Sequence, residues 1–148
     1  MRFTARTLRS CLIATFLGAL TLQIALASYA CVAEKIYLEN LKSIVIGLLV
    51  AYSVPLSIIT AGIFSKSGTG DARAPTVTAV TALALSLLWN LLFAGRVALF
   101  AFSRTDDVDA LLDWFTTLSA GGSFLIAAAL TFYFSAKESP AINSRSTT

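Results

Sequence analysis

The sequence predicts an all-α integral membrane protein: a four-helix bundle with up-down-up-down connections, short loops and no soluble domain. Two observations predict this class. Of the 148 residues, 57% are hydrophobic and only 13% are charged, with a mean hydropathy of +0.79, whereas soluble domains carry about 25% charged residues. The apolar residues are also gathered into four long continuous segments. Such a chain cannot cover a water-facing surface with polar groups, so lipid is the expected solvent for most of it.

Each apolar segment is about as long as a membrane crossing requires. The hydrocarbon core is ~30 Å thick and takes ~20 helical residues, and irregular backbone cannot face lipid. The apolar residues do not alternate with polar ones, which excludes barrel strands. The predicted helices cover about residues 10–31, 43–64, 75–102 and 108–136, within one transmembrane domain over residues 1–136. Residues 137–148 are polar and predict a disordered cytoplasmic tail.

The first segment has an alternative interpretation as a cleaved signal peptide. Arg2, Arg6 and Arg9 precede the apolar run, and Ser28 and Ala30 occupy small positions suited to cleavage. The run is longer than the 7–15 residues typical of a signal peptide. We therefore expect it to be retained as the first membrane helix.

Small side chains form a seven-residue repeat along the first helix. Ala14 and Gly18 belong to it, and its full membership is Cys11, Ala14, Gly18, Thr21, Ala25 and Ser28. Shorter stripes follow in helix three (Ser86, Asn90, Ala94, Ala98) and helix four (Ser119, Ser123, Ala127, Thr131). Membrane helices meet where small residues let backbones approach. The stripes are therefore expected to hold the bundle together; the alternative is that the first, which is the longest, faces outward and binds another subunit.

The second helix contains a proline in its interior. Pro55 cannot donate to the carbonyl of Ala51, so a kink is expected there. Ser53, Ser57 and Thr60 share one face and are expected to bond the freed carbonyls. A structural role for this segment is favoured, although broken helices at mid-membrane also line substrate sites.

The third helix carries an amide and a charge in an apolar run, Asn90 and Arg96. If the helix begins at Pro75, Arg96 lies about 31 Å along its axis, near the outer membrane boundary, where its stem can reach water. A chain reversal at residues 104 and 105 would then place Arg96 opposite Asp113 and Asn90 opposite Ser119. We predict an Arg96–Asp113 pair, with Asp109 as second choice.

The same reversal predicts that Asn90 bonds across to helix four near Ser119. Trp114, at the start of helix four, is expected at the outer membrane–water boundary, as amphipathic indoles are.

An acidic stretch precedes the fourth apolar segment. Its carboxylates, Asp106, Asp107, Asp109 and Asp113, are oxygen ligands of the kind that divalent cations prefer. The favoured interpretation is structural, because acids in a first helical turn complement the helix dipole. Thr105 or Asp106 is the expected N-cap, and no metal site is predicted.

The distribution of basic residues predicts orientation. Seven fall on one side of the membrane and three on the other: Arg2, Arg6, Arg9, Lys66, Arg73, Lys137 and Arg145 against Lys35, Lys42 and Arg104. Because the basic side faces the cytoplasm, both termini are expected there, in a plasma membrane of the bacterial inner-membrane type.

The sequence holds no histidine, which removes the commonest general base and transition-metal ligand. Its basic residues form no clustered patch for nucleic acid. The expected function is therefore non-catalytic and without a cofactor: a small membrane protein acting through helix–helix contacts as a subunit, accessory or regulatory partner, or homo-oligomer. Its partners would be the lipid bilayer and another membrane protein or itself. The alternatives are a small channel or transporter with a polar path past Asn90 and Arg96, or an effector that permeabilises membranes.

Overall fold

The computed structural model describes residues 5–65, 76–103 and 107–135. These residues form four helices: α1 (Ala5–Val32), α2 (Leu38–Ser65), α3 (Thr76–Phe102) and α4 (Val108–Ser135). All four are long and apolar enough to cross a membrane, which agrees with the predicted all-α membrane class. The tail predicted over residues 137–148 lies outside the described residues.

Two helices begin earlier than the hydropathy predicts. α1 begins at Ala5 and α2 at Leu38, where the sequence predicted residues 10 and 43. The first turn of α2 contains Glu39, and an acid at this end stabilises the helix dipole. Hydropathy marks where lipid-compatible side chains begin, whereas the backbone is already helical in the polar turn before them.

A tight cap ends α1. The N–H of Lys35 donates to the carbonyl of Ala30 at 3.0 Å, and the N–H of Glu34 donates to that of Cys31 at 3.1 Å. Glu34 has a φ of 57°. This pair of bonds around a left-handed residue is a Schellman cap. It reverses the chain into α2 within five residues after Val32.

The lysine after this cap also ties the α1–α2 connection to the end of α3. Lys35 Nζ donates to the carbonyls of Phe100 and Ser103 and lies 4.7 Å from the centroid of the Phe100 ring. The last carbonyls of a helix lack partners within it, and a cation there also meets the negative end of the helix dipole. A single side chain therefore caps α3 from the neighbouring connection.

α2 continues through Pro55, which lies in its interior. The Ser53 hydroxyl donates to the carbonyl of Val50 and the Ser57 hydroxyl donates to that of Ser53, both at 2.7 Å. Neither serine reaches the carbonyl of Ala51 that Pro55 leaves without its usual donor. The expectation that these two hydroxyls compensate for the proline is wrong; the kink itself stays a prediction.

The four helices pack as a square. α1 packs against α2 and α3, and α4 packs against the same two helices. Among the described residues, α1 therefore lies diagonally opposite α4, and α2 diagonally opposite α3. The centre is filled by large side chains, whose biggest fully buried members are Tyr52, Phe16, Phe93, Phe100 and Phe115.

Aromatic rings seated against glycines hold α4 in place. A methyl group added at Gly122 would lie 2.6 Å from Trp89 Cζ3 on α3. On α2, Gly62 faces the Phe134 ring in the same way, and a methyl group added at Gly47 would lie 3.1 Å from the Phe115 ring. Glycine at these positions lets rings occupy space that any side chain would take. These contacts fix α4 against both of its neighbours.

Candidate functional site

A chain of hydrogen bonds joins three helices in the centre of the bundle. Gln23 Nε2 on α1 donates to the hydroxyl of Tyr52 on α2 at 2.6 Å. The Tyr52 hydroxyl donates to Asn90 Oδ1 on α3 at 2.8 Å, and Asn90 Nδ2 donates to the carbonyl of Ser86 at 2.7 Å. All four residues are buried. We call Gln23, Tyr52, Asn90 and Ser86 the polar chain.

Aromatic packing holds the Tyr52 hydroxyl in position. The Tyr52 ring meets Phe16 of α1 edge-on at a centroid distance of 6.0 Å and Phe93 of α3 at 5.8 Å. Edge-to-face contacts of this kind are favourable arrangements for aromatic pairs. They direct the tyrosine across the diagonal of the bundle, so that its hydroxyl lies between the amides of Gln23 and Asn90.

The polar chain is incompletely satisfied. Gln23 Oε1 and Ser86 Oγ are buried and have no hydrogen-bond partner among the described residues, and the same holds for Trp89 Nε1 on α3. A buried polar group without a partner costs about 1–3 kcal/mol. Hydrogen bonds between membrane helices return only about 0.6 kcal/mol each on average. A contribution to stability alone therefore does not explain why these four polar residues are buried in the polar chain.

The predicted contact of Asn90 with helix four is wrong. Asn90 bonds to Tyr52 of α2 and to the Ser86 carbonyl of its own helix, and Ser119 is half-buried on α4. The cause is helical phase. Trp89 points at Gly122 of α4, and the next residue is rotated by about 100°, which turns Asn90 toward the centre and α2.

Arg96 and its predicted aspartate partners are not brought together. Asp113 and Asp109 are exposed, and Arg96 is half-buried with interactions of its own. Within the described residues no ion pair joins Arg96 to either aspartate. The helix after Asp113 instead places Trp114 against the Phe93 ring of α3, with centroids 5.2 Å apart. Aromatic packing thus aligns this end of α3 with α4.

Trp114 is half-buried, and its membrane depth stays a prediction. The start of α4 differs in detail from the expectation. The helix begins at Val108, so Asp107 precedes it, and the N–H of Leu111 donates to the Asp107 carbonyl at 3.2 Å. The expected caps, Thr105 and Asp106, lie outside the described residues.

The acidic stretch assembles no metal site in the part of the chain that is described. No group of three or more histidine, cysteine, aspartate or glutamate side chains comes together there. The described aspartates of the stretch, Asp107, Asp109 and Asp113, are exposed.

The small-residue stripe of α1 faces outward. Cys11, Ala14, Gly18, Thr21 and Ala25 are exposed and Ser28 is half-buried; we call these six residues the α1 outer face. The buried residues of α1 are instead mostly large: Leu8, Leu12, Phe16, Leu20, Gln23, Ala27 and Ala30. The expectation that this stripe holds the bundle together is therefore wrong, and the alternative orientation is the one that the structure has.

The α1 outer face is smooth and offers few polar groups. A methyl group added at Gly18 would meet nothing within 4 Å. The Thr21 hydroxyl donates to the carbonyl of Leu17 and the Ser28 hydroxyl to that of Ile24, both at 2.8 Å. Because these hydroxyl protons are used within the helix, the face presents small groups past which another backbone can approach.

The serine face of α2 does not join the polar chain. Ser53, Ser57 and Thr60 are exposed on the outside of the bundle, whereas Pro55 is buried. In the described structure these hydroxyls therefore do not extend a polar path from Asn90.

Two members of the polar chain were not singled out from the sequence. Gln23 carried a usable signal, because it is the one amide in the first apolar segment, as Asn90 is in the third. Tyr52 carried none, since aromatic residues are common throughout the chain. No protein-family model matches the chain, and no curated protein or solved structure shows significant similarity to it.

Proposed function

We propose that the chain is a small, non-catalytic integral membrane protein that acts by binding another transmembrane helix through the α1 outer face. It would serve as a subunit, an accessory or regulatory partner, or a homo-oligomer. The observation that carries the proposal is the exposure of this six-residue stripe, with open space in front of Gly18.

The contrast with the rest of α1 supports this choice. Lipid supplies no hydrophobic drive for helix association, so close packing between small residues is a main source of affinity. The bundle uses the other face of α1, with Leu12, Phe16 and Leu20 buried. The six residues of the α1 outer face therefore lie outside the core, and their seven-residue spacing suits a second helix packed at a shallow angle. A second copy of α1 is the simplest occupant, because the stripe carries no charge that would oppose self-association.

An up-down-up-down order is part of the proposal. Lys35, just after α1, reaches the carbonyls of Phe100 and Ser103 at the end of α3, which supports a parallel α1 and α3. Two contacts between α2 and α4, Gly47 with Phe115 and Gly62 with Phe134, occur in the same order along both helices. This order supports a parallel α2 and α4. With short connections between successive helices, both termini lie on one side. The surplus of basic residues on that side favours the cytoplasm of a bacterial-type inner membrane.

Native mass spectrometry after gentle extraction tests the proposal. We expect the wild-type protein to appear as a dimer or as a complex of fixed stoichiometry with another membrane protein. Gly18→Leu should shift it to the monomer, because the bulky side chain separates the backbones. Gly95→Leu on α3 and Gly121→Leu on α4 are matched controls, since these glycines also face open space. A wild-type monomer, or equal complex in Gly18→Leu, would contradict the proposal.

Transport is the second candidate, and the polar chain is the observation that favours it. Amides from α1 and α3 meet a tyrosine one turn from Pro55, and proline-broken helices can line substrate sites. Against it, every member of the chain is buried. Ion and solute flux into protein-loaded liposomes tests this candidate. Flux that Asn90→Leu abolishes would favour transport, whereas protein-free background levels would exclude it for the solutes tested.

A further inference from the structure

Two residues of the polar chain carry unpaired polar atoms. Gln23 Oε1 on α1 and Ser86 Oγ on α3 have no hydrogen-bond partner among the described residues, and both side chains are fully buried. Three successive hydrogen bonds, through Tyr52 and Asn90, connect their residues. Ser86 and Asn90 are one helical turn apart, so their side chains share a face. The polar chain therefore links the residues of the two unpaired oxygens, and we call the region that it spans the polar layer.

A third acceptor belongs to the same region. Pro55 has no N–H, so the carbonyl of Ala51 lacks the donor that an ordinary helix supplies. Ala51 and Pro55 are both buried, on either side of the turn that begins at Tyr52. Acceptors without their usual donors thus occur on all three helices that the polar chain joins.

Half of the donors of the polar chain are committed within it. The Tyr52 hydroxyl donates to Asn90, and each amide uses one N–H within the chain. What the layer needs is a guest that donates hydrogen bonds to the two unpaired oxygens and can accept hydrogen bonds from the donors left over.

The chemistry of the layer selects the guest. No side chain of the polar chain carries a formal charge, so an ion would have no counter-charge in a low-dielectric interior. An apolar guest would leave the acceptors unpaired. Water donates two hydrogen bonds and accepts two, and buried water in proteins occupies sites with two to four polar partners.

We propose that the bundle centre binds water: buried water molecules donate hydrogen bonds to Gln23 Oε1 on α1 and to Ser86 Oγ on α3. This water completes the polar chain as a hydrogen-bonded network across three helices. It is a site within the fold and does not depend on the α1 outer face or on any partner.

Radiolytic hydroxyl labelling of the full-length protein in lipid nanodiscs tests this site. Hydroxyl radicals made by X-rays from bound water oxidise the side chains next to it, and mass spectrometry locates the products. We expect Tyr52 to be labelled although it is fully buried. Gln23→Leu and Ser86→Ala should each lower Tyr52 labelling several-fold, because they remove the acceptors that hold the water.

Ser119→Ala is the matched control, since Ser119 is a half-buried serine of α4 outside the polar chain. It should leave Tyr52 labelling unchanged. If Gln23→Leu does not fold, the smaller change Ser86→Ala carries the test, with helicity and elution volume as checks of folding. Unlabelled Tyr52 in the wild-type protein would overturn the proposal by showing a dry centre. Labelling that persists equally in folded Ser86→Ala would overturn it by showing that the water is held elsewhere.

Discussion

Gly18 on α1 and Gly122 on α4 both lie inside apolar helices and belong to clusters of small residues, yet their surroundings are opposite. Gly122 is covered by the Trp89 ring, so that an added methyl group would lie 2.6 Å from it, whereas Gly18 has nothing within 4 Å of that position. Gly122 makes room for a ring within the bundle. Gly18 leaves open space that no group of the described bundle fills. The comparison teaches that small residues mark where a close approach is sterically possible, without indicating whether a group of the same chain makes that approach.

The largest expected effect lies at the covered glycine. Gly122→Ala should destabilise the bundle by about 1–3 kcal/mol, because overpacking forces the Trp89 ring out of its place. Its neighbour Gly121 faces open space, so Gly121→Ala should be neutral or stabilise by up to about 1 kcal/mol through helix propensity. Unfolding free energies from titration with a denaturing detergent measure both. Equal effects of the two substitutions would show that Trp89 does not pack on Gly122.

The next effect concerns how α1 is held on its inner side. Tyr52→Phe should destabilise by about 1–2 kcal/mol, since it leaves Gln23 Nε2 and Asn90 Oδ1 without their shared partner. Tyr29→Phe is the control, because Tyr29 is exposed and its ring contacts Phe102. The same detergent titration compares them. A loss in Tyr52→Phe no greater than in Tyr29→Phe would mean that the polar chain adds nothing to the association of α1.

A smaller change in unfolding free energy is expected at Glu34, where the backbone conformation, and not the space around the residue, favours glycine. Glu34 has a φ of 57° in the cap of α1, a region that non-glycine residues enter at a cost of about 1–2 kcal/mol. Glu34→Gly loses about 0.5–1 kcal/mol through extra chain entropy, so a net stabilisation of about 0.5–1 kcal/mol remains. Glu34→Gln keeps the Cβ atom and should change nothing. A gain in the glutamine variant would assign the effect to charge.

The smallest effect on the fold is expected at the open glycine. Gly18→Leu should change the unfolding free energy of the isolated bundle by no more than about 0.5 kcal/mol, as surface substitutions usually do. Denaturing-detergent titration of the monomer measures it beside Gly95→Leu. A loss as large as that of Gly122→Ala would place Gly18 in the core and remove the contrast between the two glycines.

The number and class of the helices were predictable because both depend on composition and length. Four apolar runs of about 20 residues in a chain with 13% charge leave few alternatives. The helix ends were less predictable, since polar turns such as the one containing Glu39 are helical without being apolar.

The faces of the helices were harder to predict. In α1 the small residues of the outer face and the large buried residues both recur at steps of three and four. Spacing alone therefore cannot predict which of the two faces the bundle centre. The choice depends on volume: rings such as Phe16 fill the centre of the square, and small residues are left outside. Asn90 was recognised as an unusual residue, but its partner depended on the helical phase that Trp89 sets.

Cysteine cross-linking within the membrane tests the central claim, that the α1 outer face is an interface, most directly. Cys11 already lies exposed on this face, and replacing Cys31 with serine leaves it as the single cysteine of the chain. Single cysteines at positions 14, 18 and 25 extend the face, and Leu91→Cys on the exposed side of α3 is the control. We predict that mild oxidation links two copies through the α1 positions, with efficiency that follows the seven-residue repeat, and leaves the α3 control monomeric. Cross-linking no more efficient on α1 than at position 91, together with no stoichiometric partner in native mass spectrometry, would contradict the account.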